Sequence, residues 1–157
     1  MCMTPRLAAA RIALVLALSV GLATGLGAFT FVYARGYSYL SSDPSACANC
    51  HIMREHFDAW NKSSHKNVAT CNDCHTPHNL VGKYTVKAKN GFWHSFYFTT
   101  GRFPDPLRIT EGNRDVTADA CRYCHAQIVA AIEHPDASAK ERSNCVRCHE
   151  YVGHLVR

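Results

Sequence analysis

Four copies of the pattern Cys-x-x-Cys-His constrain what this chain can fold into more than any other feature of its sequence. The copies occupy residues 47–51, 71–75, 121–125 and 145–149. At this spacing two cysteines can form thioethers to the porphyrin vinyl groups and the histidine can reach the iron, which is the attachment signature of c-type haem. Zinc is the alternative, but a zinc site made from two Cys-x-x-Cys pairs needs no histidine directly after each pair. Because all four pairs have one, the sequence predicts four haem c groups. The predicted attachment residues are Cys47, Cys50, Cys71, Cys74, Cys121, Cys124, Cys145 and Cys148.

The composition favours a domain in which haem replaces most of the usual hydrophobic core. The chain has 157 residues and nine cysteines, and because eight of these belong to the four units, only Cys2 remains for other chemistry. Roughly 120 residues must enclose four large macrocycles, which leaves little room for a side-chain core. We therefore predict a mainly α-helical, haem-cored cytochrome c domain with irregular loops, which is unfolded without haem. The net charge of +5 fits anionic lipid or an acidic protein surface, and we find no nucleic-acid-binding motif.

The N-terminal stretch predicts a membrane anchor. Residues 12–33 contain no charged side chain, and a helix of that length crosses the hydrocarbon layer of a bilayer. Arg6 and Arg11 precede the stretch, so the positive-inside rule places the N-terminus in the cytoplasm. A cleaved signal peptide is the alternative, because residues 32–34 resemble a cleavage site, but its apolar region would be longer than usual.

The predicted organisation is a cytoplasmic N-terminus over residues 1–11, a transmembrane anchor over residues 12–33 and a periplasmic tetrahaem domain over residues 34–157. Residues 35–46 are polar and contain Ser, Asp and Pro, which predicts a turn. Because this connection is short, we expect the first haem close to the inner-membrane surface.

The segment between the second and third units is expected to be helical over residues 80–98, with an interruption or kink near Gly91. A continuous helix would place four polar side chains on one face, namely Lys83, Lys87, Asn90 and His94. Aromatic residues crowd its C-terminal half: Phe92, Trp93, Phe96, Tyr97 and Phe98. This mixture is typical of an amphipathic segment at a membrane surface, and the alternative is a solvated lysine face with aromatic rings packed on haem. Residues 103–106 contain two prolines and predict a loop.

Six-coordinate haem iron needs two axial ligands, and histidine is the expected donor. His75, His125 and His149 are the predicted proximal ligands of the second, third and fourth haems. Six further histidines could bind the opposite faces: His56, His65, His78, His94, His134 and His154. The positions of His154, shortly after the last unit, and His65, between two units, favour them, and His78 is third.

The first unit differs because it continues as His51-Ile52-Met53. Two side chains only two positions apart span about 7 Å of chain and cannot bind one iron from opposite faces. Either Met53 replaces His51 as the ligand on the same face, or Met53 is a packing neighbour. The residues alone leave both interpretations open.

Taken together, these features resemble the NapC/NirT family of membrane-anchored c-type cytochromes. The resemblance rests on the anchor, the first unit with its x-Met extension, residues 71–80 (Cys-Asn-Asp-Cys-His-Thr-Pro-His-Asn-Leu) and the terminal Cys-x-x-Cys-His-x4-His. It covers essentially the whole chain. Within the family, the compact four-haem form is most similar to the membrane-bound small subunits of cytochrome c nitrite reductase.

The resemblance implies ligands beyond the motif histidines. It makes Met53 the ligand of the first haem, with the opposite face available near a quinol pocket, and it makes His65 and His154 distal ligands. It also implies that a lysine of the catalytic partner subunit binds the second haem. Lys87 matches the lysine of the quinol pocket, whereas His94 stands where the pattern has aspartate.

The departure at His94 leaves two hypotheses. An imidazole has a pKa near neutrality and could accept a proton from quinol, as a carboxylate would. It could instead bind the open iron of the first haem and close the site.

The function implied by the resemblance is oxidation of menaquinol and transfer of the electrons to a periplasmic multihaem reductase. The expected partner is a cytochrome c nitrite reductase, which reduces nitrite to ammonium, and the alternative is another reductase served by a NapC/NirT-type quinol dehydrogenase. A terminal reductase in its own right is less consistent with four units that all end in histidine. A free soluble shuttle is less consistent with the anchor.

Overall fold

The structure is a computed structural model that describes residues 5–133, 138 and 144–154. Cys2 and His134 lie outside the described residues. In the described part the chain forms α-helices, 3₁₀ helices and loops without a β-strand, which confirms the mainly α-helical prediction. The α-helices are Pro5–Tyr33 (α1), Pro44–Cys47 (α2), Arg54–Asn61 (α3), Cys71–His75 (α4), Leu80–Thr100 (α5), Glu111–Cys124 (α6), Ala126–Ile132 (α7) and Cys145–Cys148 (α8). The chain divides into two compact units, Met1–Ser38 and Tyr39–Arg157.

The first unit is built on α1, which is long and apolar enough to cross a membrane. It has 29 residues, and an 18-residue stretch within it has a mean hydropathy of 2.2. The predicted anchor lies inside this helix, but the helix begins earlier, at Pro5. Proline is well accommodated in a first helical turn, and the long side chains of Arg6 and Arg11 can carry their charges toward water from near a helix end. Charged residues therefore mark the end of the apolar stretch without ending the helix.

After α1 the chain turns at Arg35, whose φ of 52° lies in the left-handed region. Gly36 follows and packs closely against Phe31, because a Cβ at Gly36 would lie 2.6 Å from Phe31 Cδ2. The connection predicted as a turn contains more regular structure than expected, a 3₁₀ helix over Gly36–Leu40 and the start of α2. Asp43 caps α2 by accepting a hydrogen bond of 2.9 Å from the Ser45 backbone N–H.

The second unit carries the four Cys-x-x-Cys-His segments and has almost no side-chain core. Among the described residues, the buried hydrophobic side chains are only Ala118 and Ala120. Side chains alone would not hold a domain of this size together. This composition of the interior fits the expectation that bound haem supplies the missing apolar volume.

The short helix α4 is held by hydrogen bonds at its ends. Thr70 donates from its backbone N–H and its hydroxyl to Asp73 Oδ2, at 2.8 and 2.7 Å. Although burial alone would raise it, these hydrogen bonds hold the pKa of Asp73 below its usual value. At the other end, the Thr76 hydroxyl donates to the Asn72 carbonyl at 2.7 Å, and Asn72 Nδ2 donates to the Ser41 carbonyl at 3.2 Å.

Helix α5 is continuous, so the expected interruption at Gly91 is wrong. The helix starts at an Asn79 cap, whose side chain accepts from the Gly82 N–H at 2.7 Å, and ends at Gly101, which has a φ of 66°. Gly91 lies within this continuous helix, and the ring of Tyr39 packs on it. The glycine therefore permits close approach of a neighbouring ring. The loop predicted over residues 103–106 is present.

Candidate functional site

The four Cys-x-x-Cys-His segments lie in a row that follows chain order. Helix α2 packs against α4, α4 against α6, and α6 against α8. The sulfurs at the start of the paired units are close enough to affect each other's pKa, Cys47 with Cys71 and Cys121 with Cys145. Burial, with smaller contributions from Cys121 and Cys124 of the third unit, raises the pKa of Cys74 to about 11, so the second and third units lie next to each other. Neighbouring units are therefore close enough for a linear series of redox groups.

Two pairs of imidazole rings face each other across this row. The ring centres of His65 and His125 are 6.1 Å apart, and those of His75 and His154 are 6.0 Å apart. Two imidazoles bound to one metal from opposite sides have ring centres about 6 Å apart, because each metal–nitrogen bond is about 2 Å long. The structure therefore brings together donor pairs that fit haem iron at the second and third units.

The hydrogen bonding of His65 prepares its ring for a metal. His65 Nδ1 lies 3.1 Å from the Val152 carbonyl oxygen, which can only accept, so in this contact Nδ1 carries the proton. The lone pair is then on Nε2, which is the arrangement found when one ring nitrogen is fixed by a backbone carbonyl and the other binds metal. The same contact ties the segment before His154 to the loop after α3.

The immediate surroundings of His75 keep its ring neutral. Burial, with smaller contributions from His154, His56 and His94, lowers the pKa of His75 to about 4. A neutral imidazole is the form that binds metal. The environment of His75 therefore favours ligation over protonation.

The position of His154 differs from the expectation for the second haem. We expected that haem to take its distal ligand from a partner subunit, but the ring of His154 lies beside His75, the histidine of the second unit. Of the motif histidines of the last three units, His75 and His125 each have a second imidazole at about this distance. His149 of the fourth unit has none among the described residues.

The remaining candidate histidines have other surroundings. His78 stacks on Tyr123 of the third unit, with ring centres 4.0 Å apart and planes at 14°. His56 lies edge-on to His154 at 5.0 Å, and its Nδ1 is buried without a hydrogen-bond partner in the described structure. His56 is therefore a neighbour of the proposed ligand pair rather than a member of it.

The first unit has no paired imidazole in the described part of the chain. His51 is exposed and its ring contacts the edge of Phe98, with centres 5.8 Å apart. Met53 is half-buried at the end of the 3₁₀ helix His51–Met53. These positions fit the interpretation in which the sulfur of Met53 takes the place of the His51 imidazole.

The polar face of α5 is directed at the segment before the first unit. Lys87 is only 4% exposed, and its Nζ donates to the Ser41 carbonyl oxygen at 2.5 Å. Lys83 Nζ donates to the Ser42 hydroxyl at 2.7 Å. Burial lowers the pKa of Lys87, and the neighbouring Lys83 ammonium lowers it further. The alternative of a solvated lysine face is therefore wrong for Lys87.

His94 follows Lys87 by two helical turns, about 10 Å along the axis. Because α5 is continuous, both side chains start from the same side of the helix. Asn90 lies between them and donates to Asn113 Oδ1 of α6 at 3.1 Å. The side chain of His94 is exposed, yet partial burial of the imidazole by its neighbours lowers its pKa. An unprotonated imidazole near pH 7 can accept a proton.

Tyr39 and Ser41 are the residues of this region that the sequence did not single out. Both lie in the connection that was expected to be only a turn, and both contact Lys87. The sequence contains no local signal for these contacts, because they join positions more than forty residues apart.

The fold and the site together define a membrane-anchored c-type cytochrome. A long apolar helix precedes four haem-attachment segments, and two of these have histidine pairs at a distance that suits one metal. The sequence pattern of the NapC/NirT cytochrome c family, N-terminal region, matches residues 8–157. The chain belongs to the NapC/NirT cytochrome c family, and it is accordingly a single-pass membrane protein that carries haem c.

Relatives and a solved structure agree with this assignment. The cytochrome c-type protein NrfH of Wolinella succinogenes is 38% identical over 144 residues, covering 84% of this chain and 81% of that protein. The cytochrome c nitrite reductase subunit NrfH of Nitratidesulfovibrio vulgaris is 33% identical over 122 residues, covering 78% and 73%. A similar fold occurs in the crystal structure of the cytochrome c nitrite reductase NrfHA complex bound to the HQNO inhibitor, with a TM-score of 0.63, 30% identity and coverage of 88% and 90%.

Proposed function

We propose that this protein is a membrane-anchored tetrahaem c-type cytochrome that oxidises menaquinol and relays the electrons to a periplasmic cytochrome c nitrite reductase, which reduces nitrite to ammonium. The protein acts as the quinol-oxidising, electron-transfer subunit of that complex. The proposal is supported by the two NrfH relatives, one of them named as a nitrite reductase subunit, and by the similarity to a chain of the NrfHA complex. The single observation that carries it is the contrast between the first unit, which has no imidazole pair among the described residues, and the second and third units, which each have one.

The proposed topology follows from the charges around the anchor. Arg6 and Arg11 precede the apolar stretch and keep residues 1–11 in the cytoplasm by the positive-inside rule. Residues 12–33 cross the inner membrane once, and residues 34–157 carry the haems in the periplasm. Only a short connection separates the anchor from Cys47, so the first haem lies near quinol in the membrane.

We assign the axial ligands from the histidine pairs. His75 and His154 hold the second iron, and His125 and His65 hold the third. Met53 binds the first iron on the side where His51 would otherwise bind. When bound, the haems supply one-electron redox chemistry, which the row of units arranges in chain order.

His149 binds the fourth iron on one side. The described residues offer no second imidazole to this unit, which lies at the opposite end of the row from the first. Because His154 lies beside His75, we assign the lysine expected from the partner to the fourth haem instead of the second. The terminal position of this unit in the row is also the place where an electron acceptor would dock.

The quinol pocket uses the polar face of α5. Oxidation of a quinol removes two electrons and two protons, so a proton acceptor must lie beside the ring hydroxyl. We assign this role to His94, whose lowered pKa leaves it unprotonated near neutral pH. Lys87 provides a fixed positive charge that binds and orients the quinol oxygen. The alternative, in which His94 binds the first iron, would close the site to quinol.

The test uses the full-length holoprotein extracted from membranes in detergent and supplied with a menaquinol analogue. Reduction of haem is followed by its visible absorption bands. Lys87→Met should slow haem reduction at least tenfold, because the buried charge that orients the quinol is lost. Lys89→Met, which changes an exposed lysine of the same helix, is the matched control and should leave the rate unchanged.

Two results would refute the proposal. One is a wild-type holoprotein whose haems are reduced by dithionite but not by the quinol analogue. The other is rapid nitrite reduction by the isolated chain without a partner, since that would make it a terminal reductase.

A further inference from the structure

Tyr39 contacts both the first haem unit and helix α5, and the function proposed above gives it no role. It lies in the 3₁₀ helix Gly36–Leu40 and is half-buried. Burial, with smaller contributions from the nearby sulfurs of Cys47 and Cys50, raises the pKa of Tyr39 to about 12. The side chain is therefore a neutral phenol close to the attachment cysteines of the first unit.

The ring of Tyr39 also packs on the backbone of α5. Its Cε1 is 3.2 Å, and its Cδ1 3.5 Å, from the position that a Cβ would take on Gly91. A contact of 3.2 Å is closer than ordinary van der Waals packing. A side chain at position 91 would therefore move the ring, and glycine is the residue that lets it approach the helix.

Lys87 lies one turn before Gly91, and its ammonium is held by two groups. Nζ lies 5.7 Å from the centre of the Tyr39 ring and donates to the Ser41 carbonyl oxygen at 2.5 Å. In the described part of the chain, no carboxylate is within ion-pair distance of Lys87. The aromatic face and the carbonyl thus replace the acidic partner that a buried lysine usually has.

A buried ammonium with so few partners depends on each of them for its position. A lysine side chain has four rotatable carbon–carbon bonds, and it leaves a fixed rotamer easily when its contacts weaken. The quadrupole of an aromatic ring attracts a cation over its face, and this attraction is strongest where water is excluded. At 4% exposure, Lys87 meets that condition.

We propose that Tyr39 is a positioning residue of the quinol site, whose ring face fixes the ammonium of Lys87 where it meets a quinol oxygen. The inference deepens the proposed function and rests on it. It assigns a ring–cation–carbonyl arrangement, formed by Tyr39, Lys87 and Ser41, to the recognition of quinol. Gly91 belongs to the arrangement because it makes room for the ring.

The experiment compares Tyr39→Phe with Tyr39→Leu in the full-length holoprotein in detergent. Phenylalanine keeps the aromatic face, and leucine removes it. Two quantities are measured, the KM and kcat for a menaquinol analogue, and acetylation of Lys87 by an amine-reactive ester, quantified by mass spectrometry relative to the exposed Lys89. Tyr84→Leu, which changes an exposed tyrosine of α5, is the matched control.

Loss of the ring should raise the KM about tenfold and the acetylation of Lys87 by a similar factor. Tyr39→Phe should keep both within about twofold of the wild type, since its ring presents the same face. The absorption spectrum of the first haem should not change in either variant. A purely structural role of Tyr39 would change the haem spectrum and kcat along with the KM.

Gly91→Ala provides a second route that does not remove the tyrosine. Its added methyl group displaces the ring, so KM and Lys87 acetylation should rise, and the increase should vanish when Leu already replaces Tyr39. If Tyr39→Leu matches the wild type in both measurements, the inference is wrong. If acetylation rises as expected but the wild type does not oxidise quinol, the proposed function fails, and Tyr39 still positions Lys87.

Discussion

The first haem unit and the two that follow it are built from the same five-residue pattern, yet their surroundings differ. At the second and third units, a histidine from elsewhere in the chain lies about 6 Å from the motif histidine. At the first unit, the ring of the motif histidine lies 5.8 Å from that of Phe98, and no second imidazole lies at such a distance among the described residues. An identical attachment pattern can therefore give a closed redox centre or one open to substrate, depending on what the rest of the chain places opposite.

The largest expected effect concerns quinol oxidation at the first haem. His94→Ala should lower the rate of quinol oxidation by about 100-fold, because a positioned proton acceptor typically contributes that much or more. The rate is measured by stopped-flow absorption as the reduction of haem in the holoprotein by a quinol analogue.

His94→Asp should retain most of this activity, since a carboxylate accepts a proton at the same place. In the wild type, burial lowers the pKa of His94, so the imidazole is neutral above that value and protonated below it. The rate should therefore fall as the pH decreases below about 6.5, the ordinary value for histidine. A full rate in His94→Ala, with an unchanged first-haem spectrum, would remove His94 from the mechanism.

The next prediction tests the histidine pairs of the second and third haems. His154→Ala should convert the second haem from low spin to high spin, and His65→Ala should do the same to the third, because each change removes one imidazole of a pair. Electron paramagnetic resonance separates the two cases, and electron transfer along the row should slow about tenfold.

His78→Ala is the control for both variants, since His78 stacks on Tyr123 and belongs to neither pair. His56 lies 5.0 Å from His154 and could take its place, so the double variant His56→Ala/His154→Ala completes the test. A second haem that stays low spin in the double variant would contradict the assignment of His154.

A smaller effect is expected from the choice between sulfur and imidazole at the first unit. Met53→Leu should change the absorption spectrum of the first haem and lower its reduction potential, because thioether ligation raises the potential. His51→Ala should leave both nearly unchanged, since the His51 ring is exposed and packs on Phe98. The opposite pattern, with His51→Ala as the disruptive change, would make the first unit an ordinary histidine-ligated one.

The smallest effect concerns the scaffold shared by all units. Thr70→Ala removes the hydroxyl that donates to Asp73 at the start of α4 and should cost about 1 kcal/mol of stability. Thermal unfolding of the holoprotein measures this change, and Thr85→Ala on α5 is a control. The Asp73 contribution is present above the ordinary pKa of aspartate and is lost as the pH falls through its lowered value. A stability that is independent of Thr70 would mean that haem alone holds α4.

Sequence reasoning reached the elements whose signals are local. The cysteine spacing, the apolar stretch and the helix α5 all follow from patterns within about twenty residues, and the structure has helices at both stretches. It failed where a tertiary contact decides. We expected Gly91 to interrupt the helix. The structure instead shows a continuous helix in which the missing side chain of Gly91 leaves room for the ring of Tyr39.

The ligand assignment shows the same limit. Spacing correctly marked His154 as close to a haem unit along the chain, but it could not indicate which unit lies beside it in space. The contact of the Val152 carbonyl with His65 brings the end of the chain back to the first pair of units. Such return paths depend on packing between segments far apart in sequence, which no local pattern encodes.

The scarcity of buried side chains has a consequence for biogenesis. Because Ala118 and Ala120 are the buried hydrophobic side chains among the described residues, a newly synthesised polypeptide has little apolar surface around which to collapse before its prosthetic groups arrive. The cysteines then remain accessible to the machinery that attaches haem, and each attachment supplies the surface on which the next segment can condense. Maturation and folding become a single process, and a molecule that misses one cofactor is exposed to proteolysis as an incompletely folded chain.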